Sequence, residues 1–390
     1  MIPMKVNNPF SAYTRIFFRA AAKNNNRVCG DHLVVDRAMD ATTIILCDGI
    51  GSGIKANLAA VMAANTILEM LRLGFTLHAA AAKMVRSMRE ARNKDIPFAA
   101  FTICKVLSNG QATVISYEMP GVIIMDGFSA SVAPMRFIPM GGEVVAEAHF
   151  ALYDDRAILL CSDGVSQAGM GKSFKMGWTI EGAAEFAAGL LGAGVRIEEL
   201  PGRIVDQVEV YSGPGWGDDV TAVVVDIKAA NVLNILTGPA CDKRSDKNLI
   251  ERFIAMTGDK AVCGSTTAEI AARVLGQKIE AVPIKDGYNQ PPQYHITGIN
   301  LVTEGAVTLN QVYNILGEDP NEFDAESCVS HLARLILDHD AVNFIVGLAA
   351  NKAHKNIVFR QMGVLPRAVI VEKIAQKLQT MGKLVHVEYA

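Results

Sequence analysis

Four aspartates stand beside glycine, three of them in strand-end sequences, and no other feature of the chain constrains its fold as strongly. They are Asp31 in Cys29-Gly30-Asp31, Asp48 in Leu46-Cys47-Asp48-Gly49, Asp163 in Cys161-Ser162-Asp163-Gly164, and Asp218 in Gly217-Asp218-Asp219-Val220-Thr221. Apolar runs lead into Asp48 (Thr43-Ile44-Ile45-Leu46) and Asp163 (Ala157-Ile158-Leu159-Leu160), and another, Ala222 to Val225, follows the Asp218-Asp219 pair. A strand that ends in Asp-Gly points a carboxylate off the sheet edge, and the glycine lets a ligand or metal approach the backbone. Several such ends on one edge gather carboxylates that repel one another unless cations neutralise them. All-oxygen clusters suit Mg²⁺ or Mn²⁺. A pair of these ions can activate a coordinated water against a phosphate ester, so the expectation is a metal-dependent phosphatase.

The series Gly30-Asp31, Cys47-Asp48-Gly49-Ile50-Gly51-Ser52-Gly53, Ser162-Asp163-Gly164-Val165 and Gly217-Asp218-Asp219-Val220-Thr221 resembles the metal-dependent serine/threonine protein phosphatases (the PPM family). It is most similar to their bacterial branch, typified by the stage II sporulation protein E phosphatase, over about residues 1 to 228. The resemblance implies an α+β fold, an α-β-β-α sandwich of two antiparallel sheets. It also implies two divalent metal ions, Mn²⁺ or Mg²⁺, a phosphoprotein substrate dephosphorylated at serine or threonine, and a role in bacterial signalling. Asp48 matches the bridging carboxylate, and the carbonyl of Gly49 ligates one metal directly or through water. Asp163 and Asp218 match the carboxylates that complete the other metal site, so Asp48, Asp163 and Asp218 are the expected catalytic set. Asp31 matches an acidic residue near the second metal, and Asp219 an outer group that orients metal-bound water. Arg27, four residues before Asp31, lies near a phosphate-binding arginine of some members. Leaving-group protonation is open between an aspartate, a metal-bound water and His32.

Gly51-Ser52-Gly53-Ile54-Lys55 opens a helix but lacks the Gly-x4-Gly-Lys-Ser/Thr spacing of a P-loop. It reads as a tight strand-to-helix turn, and in the resembling branch the helix pair that follows can act as a regulatory element. No Cys-x5-Arg thiolate motif is present.

At 390 residues the chain is long enough for two domains. Charged residues make up 20% and the formal net charge is −3, which gives no reason to expect nucleic acid or an anionic membrane surface. Seven cysteines without a Cys-x-x-Cys pair argue against zinc or a dithiol site and for a reducing cytoplasm. Cys47 and Cys161 read as small buried hydrophobes. The N-terminus has no signal-type apolar core, and stretches such as Val342 to Gly347 are too short to span a bilayer. A soluble cytoplasmic protein is expected, with a homodimer as one option for its oligomeric state.

The first domain, residues 1–228, should carry strands at Tyr13 to Arg19, Leu33 to Asp36 and Thr42 to Cys47, then helices from Ile54 to Leu73 and from Leu77. Strands resume at Ala99 to Lys105, Ala112 to Glu118, Val122 to Met125, Met135 to Pro139, Glu143 to Phe150 and Arg156 to Leu160. Helices at Ile180 to Leu191 and Arg196 to Val208 precede a closing strand, Val220 to Ile227.

The second domain, residues 229–390, alternates strand Val232 to Leu236, helix Lys247 to Met256, strand Lys260 to Cys263 and helix Ala268 to Leu275, the pattern of an α/β domain with partly parallel strands. Between its second strand and helix, Gly264-Ser265-Thr266-Thr267 forms a small-residue turn suited to a regulatory anion, with Thr237-Gly238-Pro239 and Asp242 as an opposing wall. The bland alternative is helix capping by Ser265 or Thr266. Asp338-His339-Asp340 and Asn351-Lys352-Ala353-His354 add groups of metal- or phosphate-binding type. For the whole chain, the alternative to an enzyme is a degenerate phosphatase fold that serves as a binding or scaffold module.

Overall fold

The computed structural model describes residues 10, 12–23, 28–51, 53–94, 96–213, 217–282, 291–349 and 363–390. The chain forms two compact units, one from Thr14 to Lys228 and one from residue 229 to 390 together with the described residues up to Tyr13.

In the first unit the chain runs β1 (Ala12–Ala21), β2 (Asp31–Arg37), β3 (Ala41–Gly49), α1 (Gly53–Arg72) and α2 (Leu77–Asn93). It continues through β4 (Ala99–Leu107), β5 (Gln111–Tyr117), β6 (Ile123–Asp126), β7 (Ser129–Val132), β8 (Arg136–Met140), β9 (Glu143–Ala151) and β10 (Arg156–Cys161). Three helices, α3 (Asp163–Ser166), α4 (Thr179–Gly192) and α5 (Leu200–Ser212), lead to β11 (Val220–Ala229). One sheet has the order β2-β3-β4-β5-β9-β8 and the other β1-β11-β10-β6-β7.

Strand alternation builds the layers. On β3, Ile45 and Cys47 pack under α1 and α2 with Ala60, Ala64 and Ile67, while Ile44 and Leu46 face the other sheet. On β10, Ile158 and Leu160 meet Ile44 and Leu46 between the sheets, and Leu159 and Cys161 pack under α4 and α5 with Ala183, Ile204 and Val208. The result is the expected helix-sheet-sheet-helix sandwich.

Local chemistry sets the ends. Gly74, at φ +87°, stops α1, and the Thr76 side chain accepts from the Ala79 amide at 3.2 Å to start α2. Gly110, at φ +85°, turns β4 into β5 at the expected hairpin. α1 meets the length and composition of a membrane span, but its Ala56, Ala60, Ala63, Ala64 and Ile67 are buried in this unit.

Three details differ from the sequence reading. β7 was not expected, because Ser129-Ala130-Ser131-Val132 lacks bulky side chains, yet Ala130 and Val132 cover the α4 side of the core. Asp163 opens the short helix α3. The helix expected from Arg196 begins as a single 3₁₀ turn, Ile197–Glu199, and becomes α-helical at Leu200, where Pro201 suits the first turn.

The second unit runs β12 (Val232–Thr237), α6 (Asp246–Ala255), β13 (Asp259–Cys263), α7 (Ser265–Leu275), β14 (Glu280–Ala281), β15 (Gln293–His295) and β16 (Leu301–Thr303). It ends with α8 (Ala306–Ile315), α9 (Cys328–Asp338), β17 (Ala341–Val346), α10 (Arg367–Thr380) and β18 (Leu384–Tyr389). Its sheet has the order β14-β15-β16-β13-β12-β17-β18, with β16, β13, β12, β17 and β18 mutually parallel. Across its centre, Asn234 on β12, Asn343 on β17 and His386 on β18 stand in register. Asn343 Nδ2 donates to Asn234 Oδ1 at 3.1 Å, and Asn343 Oδ1 lies 2.9 Å from His386 Nδ1. Asn234 in turn donates to the Thr257 carbonyl at 2.9 Å.

Candidate functional site

The same alternation that layers the core places the acidic groups. Asp31 shares its face of β2 with Leu33, and Asp48 shares its face of β3 with Ile44 and Leu46, so both project between the sheets. The β2-β3 register sets Asp31 directly opposite Asp48. From the other sheet, Ser162 ends β10 and Asp219 and Thr221 lie at the start of β11, on the face of Val223 and Val225. Ser162 and Thr221 are tied by two bonds, Ser162 N–H to Thr221 O at 2.9 Å and Thr221 N–H to Ser162 Oγ at 2.8 Å. Each sheet therefore delivers carboxylates to one mouth of the inter-sheet layer.

Asp31, Asp48, Asp163, Asp218 and Asp219 interact there electrostatically. Burial, followed by the charges of Asp219 and Asp163, pushes the Asp31 carboxyl up to about 6. Burial, then the charges of Asp31 and Asp163, raises Asp48 far above the carboxylate range. Asp163 is raised by burial and by Asp218. Both oxygens of Asp31 and Oδ1 of Asp163 are buried without a formal donor.

Among the described residues no three His, Cys, Asp or Glu side chains are preassembled to hold a metal ion. The carboxylates are neighbours and not a closed shell, as mutual repulsion dictates. Orphaned carboxylate oxygens, an all-oxygen donor set and held protons nevertheless fit a hard divalent cation.

Several residues at the site carried no local signal. Lys23, at the end of β1, donates its N–H to Asp219 Oδ1 at 2.9 Å, and its Nζ stands 3.5 Å from Asp218 Oδ1 and 3.1 Å from the Gly51 carbonyl. Gln167 Nε2 donates to Asp163 Oδ2 at 2.7 Å, and Asn57 Nδ2 to the Cys29 carbonyl at 2.8 Å. Gln167 alone had a readable cue, its i, i+4 spacing from Asp163. Gly49 faces α1, where a Cβ would lie 1.9 Å from the Ala56 carbonyl oxygen. Gly30 and Gly164 make room for Asp219: added Cβ atoms would come within 2.7 Å of its Oδ2 and 2.1 Å of its carbonyl oxygen.

His32 follows Asp31 on β2 and so faces the opposite side, and burial lowers its pKa. It does not join the cluster. Arg27 and Ser52 lie outside the described residues. Burial pushes the Cys29 and Cys161 thiols up to about 12 and Cys47 higher still, so these sulfurs stay protonated.

In the second unit, α7 begins at Ser265, earlier than the expected Ala268, with Gly264 as its N-cap at φ +136° and no side-chain cap bond. Capping by Ser265 or Thr266 is thus excluded, because both are inside the helix. Thr267 is buried, and its Oγ accepts the Gly238 N–H at 3.0 Å, while Thr237 Oγ1 donates to the Cys263 carbonyl at 2.9 Å. The expected opposing wall is therefore stitched directly to the turn. Thr267→Val leaves the Gly238 N–H buried without an acceptor and should cost about 1–3 kcal/mol, read as a lower denaturant midpoint.

Asp242 caps its own turn by accepting from Arg244 N–H at 3.0 Å. The Asp338-His339-Asp340 group also proves structural: buried His339 bonds the Leu335 carbonyl at 2.6 Å and lies 3.2 Å from Asp259 Oδ2, and Asp340 accepts from the Asn231 amide at 2.9 Å. Asn351 to His354 lie outside the described residues.

Two antiparallel sheets between helices, with carboxylates from both at one mouth, define a PP2C-type phosphatase fold. Residues 39–228 match the model of the stage II sporulation protein E (SpoIIE) family. Among solved structures, the chain is similar to the PP2C phosphatase domain of SpoIIE with a fragment of its regulatory domain, from Bacillus subtilis, at 17% identity and a TM-score of 0.48. That match covers 56% of this chain and 65% of the SpoIIE chain. The RsbU and RsbW domains of Rv1364c from Mycobacterium tuberculosis match at 15% identity and a TM-score of 0.47, over 73% of this chain and 84% of that one. RsbX, solved in complex with magnesium, matches at 15% identity and a TM-score of 0.40, over 55% of this chain and 96% of its own. No curated protein matches the chain.

Proposed function

We propose that residues 1–228 form a metal-dependent phosphoprotein phosphatase acting on phosphoserine and phosphothreonine in bacterial signalling, and that residues 229–390 form a regulatory domain. The observation that carries this reading is the convergence of carboxylates from both sheets, with the Asp31 oxygens buried and unpartnered. In this reading Asp48, Asp163 and Asp218, with Asp31 and the Gly49 carbonyl, hold two divalent ions, Mn²⁺ or Mg²⁺. Bound there, such ions supply Lewis-acid activation of water and offset phosphate charge. Asp219, fixed by Lys23 and Gly30, positions the loop that carries Asp218. Gln167 orients Asp163, and Lys23 Nζ adds a positive charge at the rim for a phosphate oxygen. Burial raises the Cys29, Cys47 and Cys161 thiols, which disfavours a cysteine nucleophile at the site. In the second unit, the turn Gly264–Thr267 lies at the carboxyl ends of parallel strands β12 and β13, which favours a small anion as regulator.

Mn²⁺-dependent hydrolysis of p-nitrophenyl phosphate tests the enzyme directly, and its absence in a metal-binding protein would leave the scaffold reading. Thermal unfolding gives a second readout. Asp31 and Asp48 hold protons in the fold that they release when unfolded, so stability of the metal-free protein is full below about pH 4. It should fall as pH rises through about 6 for Asp31, and further for Asp48. Metal binding needs the ionised forms, so the rise in melting temperature on adding Mn²⁺ should grow from pH 5 to pH 8. A metal-induced shift that is flat across this range would contradict the carboxylate assignment.

A further inference from the structure

A depression of about 720 Å³ opens on α4, bounded by the end of α5 and the loop between α3 and α4. Its walls are Phe174, Trp178, Phe186 and Tyr211, and its rim carries Glu181 and Glu185. The rings meet edge to face: Trp178 with Phe186 at 5.4 Å, Trp178 with Tyr211 at 5.2 Å, and Phe174 with Tyr211 at 4.9 Å. Aromatic walls with nearby carboxylates attract cations through both the ring quadrupole and direct charge.

Glu181 and Glu185 are exposed, lie one turn apart on α4, and meet no basic side chain among the described residues. Like charges at that spacing repel, so the helix carries a pair it does not itself neutralise. Trp178 is only 7% exposed, but its indole nitrogen is not among the buried unpartnered atoms and makes no hydrogen bond among the described residues, so this N–H opens to solvent. Gly182 keeps that edge open, since a Cβ there would lie 3.0 Å from Nε1 and 2.7 Å from Cδ1. The adjacent Thr179 is held at φ +66°, a conformation that β-branched residues avoid and that collects at binding sites.

The loop that builds this cavity also reaches the candidate phosphatase site. Gln167 at its start donates to Asp163, Ser173 Oγ donates to the Tyr211 carbonyl at 2.9 Å, and Phe174 and Trp178 follow. A second depression of about 410 Å³, lined by Gln167, Met170, Lys172 and Asp218 among others, lies along the same loop.

We propose that the α4 cavity takes a lysine or arginine side chain of the phosphoprotein, flanking the phosphorylated residue, with the Trp178 N–H donating to a peptide carbonyl. The choice of substrate as occupant rests on the phosphatase reading above. The chain has two tryptophans, so Trp216→Phe leaves Trp178 as a fluorescent reporter. In EDTA, an N-acetylated, C-amidated Gly-Arg-Gly peptide should change its emission saturably. The citrulline analogue, of equal shape without the charge, should bind about tenfold more weakly or less. Glu181→Gln with Glu185→Gln should erase the difference, and a conservative change on an exposed helix face leaves folding intact.

Equal responses to the two peptides, or none, overturn the proposal. Tetramethylammonium binding as well as the arginine peptide would overturn the polypeptide occupant in favour of a free ammonium compound. With Mn²⁺, the double variant should keep wild-type kcat/KM on p-nitrophenyl phosphate and lose an approximately tenfold preference for phosphopeptides with a flanking arginine. Normal p-nitrophenyl phosphate turnover without any arginine preference sinks the cavity proposal and leaves the phosphatase standing. Arginine binding in a protein that never hydrolyses p-nitrophenyl phosphate removes the phosphatase reading and overturns a phosphoprotein substrate as the occupant, leaving only a cation site.

Discussion

Asp48→Asn is expected to abolish Mn²⁺-dependent turnover and, in the metal-free protein, to raise the melting temperature. The two effects share one cause. Asp48 is buried opposite Asp31 and beside Asp163, where its charge is costly until a cation arrives. An asparagine keeps the shape, removes the charge, and can donate its amide to Asp163, whose Oδ1 is otherwise orphaned. Losing a central metal ligand should lower kcat/KM by on the order of 10³ or more. An asparagine needs no proton uptake to be buried there, which should add about 1–3 kcal/mol to the metal-free fold near neutral pH, or several degrees in a unit of this size. Addition of Mn²⁺ should then raise the melting temperature of the variant far less than that of the wild type. A variant less stable than wild type without metal would show that the carboxylates do not repel as described, and retained turnover would remove Asp48 from the site.

Gly49→Ala should be the most damaging single-methyl change in the first unit. Gly49 ends β3 on the face covered by α1, and a Cβ would stand 1.9 Å from the carbonyl oxygen, 2.4 Å from the carbonyl carbon and 2.8 Å from the Cα of Ala56. These are backbone atoms of a fully buried residue, so no rotamer change relieves the overlap. Either α1 lifts from the sheet or β3 retreats with Asp48 attached. The expected cost is about 3 kcal/mol or more, with loss of Mn²⁺ response in whatever remains folded. Urea unfolding and metal-induced thermal shifts measure both. Wild-type stability in Gly49→Ala would mean that α1 and β3 do not touch as described.

The strands were legible where side-chain pattern and end signal agreed. β3 and β10 are apolar runs closed by Asp48 and by Ser162-Asp163, and both appear within a residue or two of their expected limits. β7 failed that test because Ser129 to Val132 is read only through what it covers. α7 starts three residues before its sequence pattern suggests, because Ser265, Thr266 and Thr267 look like turn residues, and only Gly264 at φ +136° shows that the turn is already complete.

The aspartates announced themselves locally, but their surroundings did not. Lys23 meets Asp219 across 196 positions of sequence, a contact that no spacing rule contains. The facing of Asp31 and His32 to opposite sides follows from strand period alone, yet it needed the extent of β2, whose expected start at Leu33 left both outside it. The sequence around Gly49 points to what its carbonyl can bind, whereas its missing side chain is explained by the helix above it.

The amide row through Asn234, Asn343 and His386 gives the second sheet something that its apolar residues cannot. Val, Ile and Leu strands are nearly interchangeable to one another, and β12 could bury its hydrophobic faces beside several of them. Only a neighbour that presents Asn343 at the right level answers the Asn234 amide, and only β18 brings His386 to the far side of that asparagine. Any other neighbour would strand a polar group in the interior at a cost of about 1–3 kcal/mol. The row therefore works as an identity check between strands, rejecting misassembled sheets that hydrophobicity alone would accept.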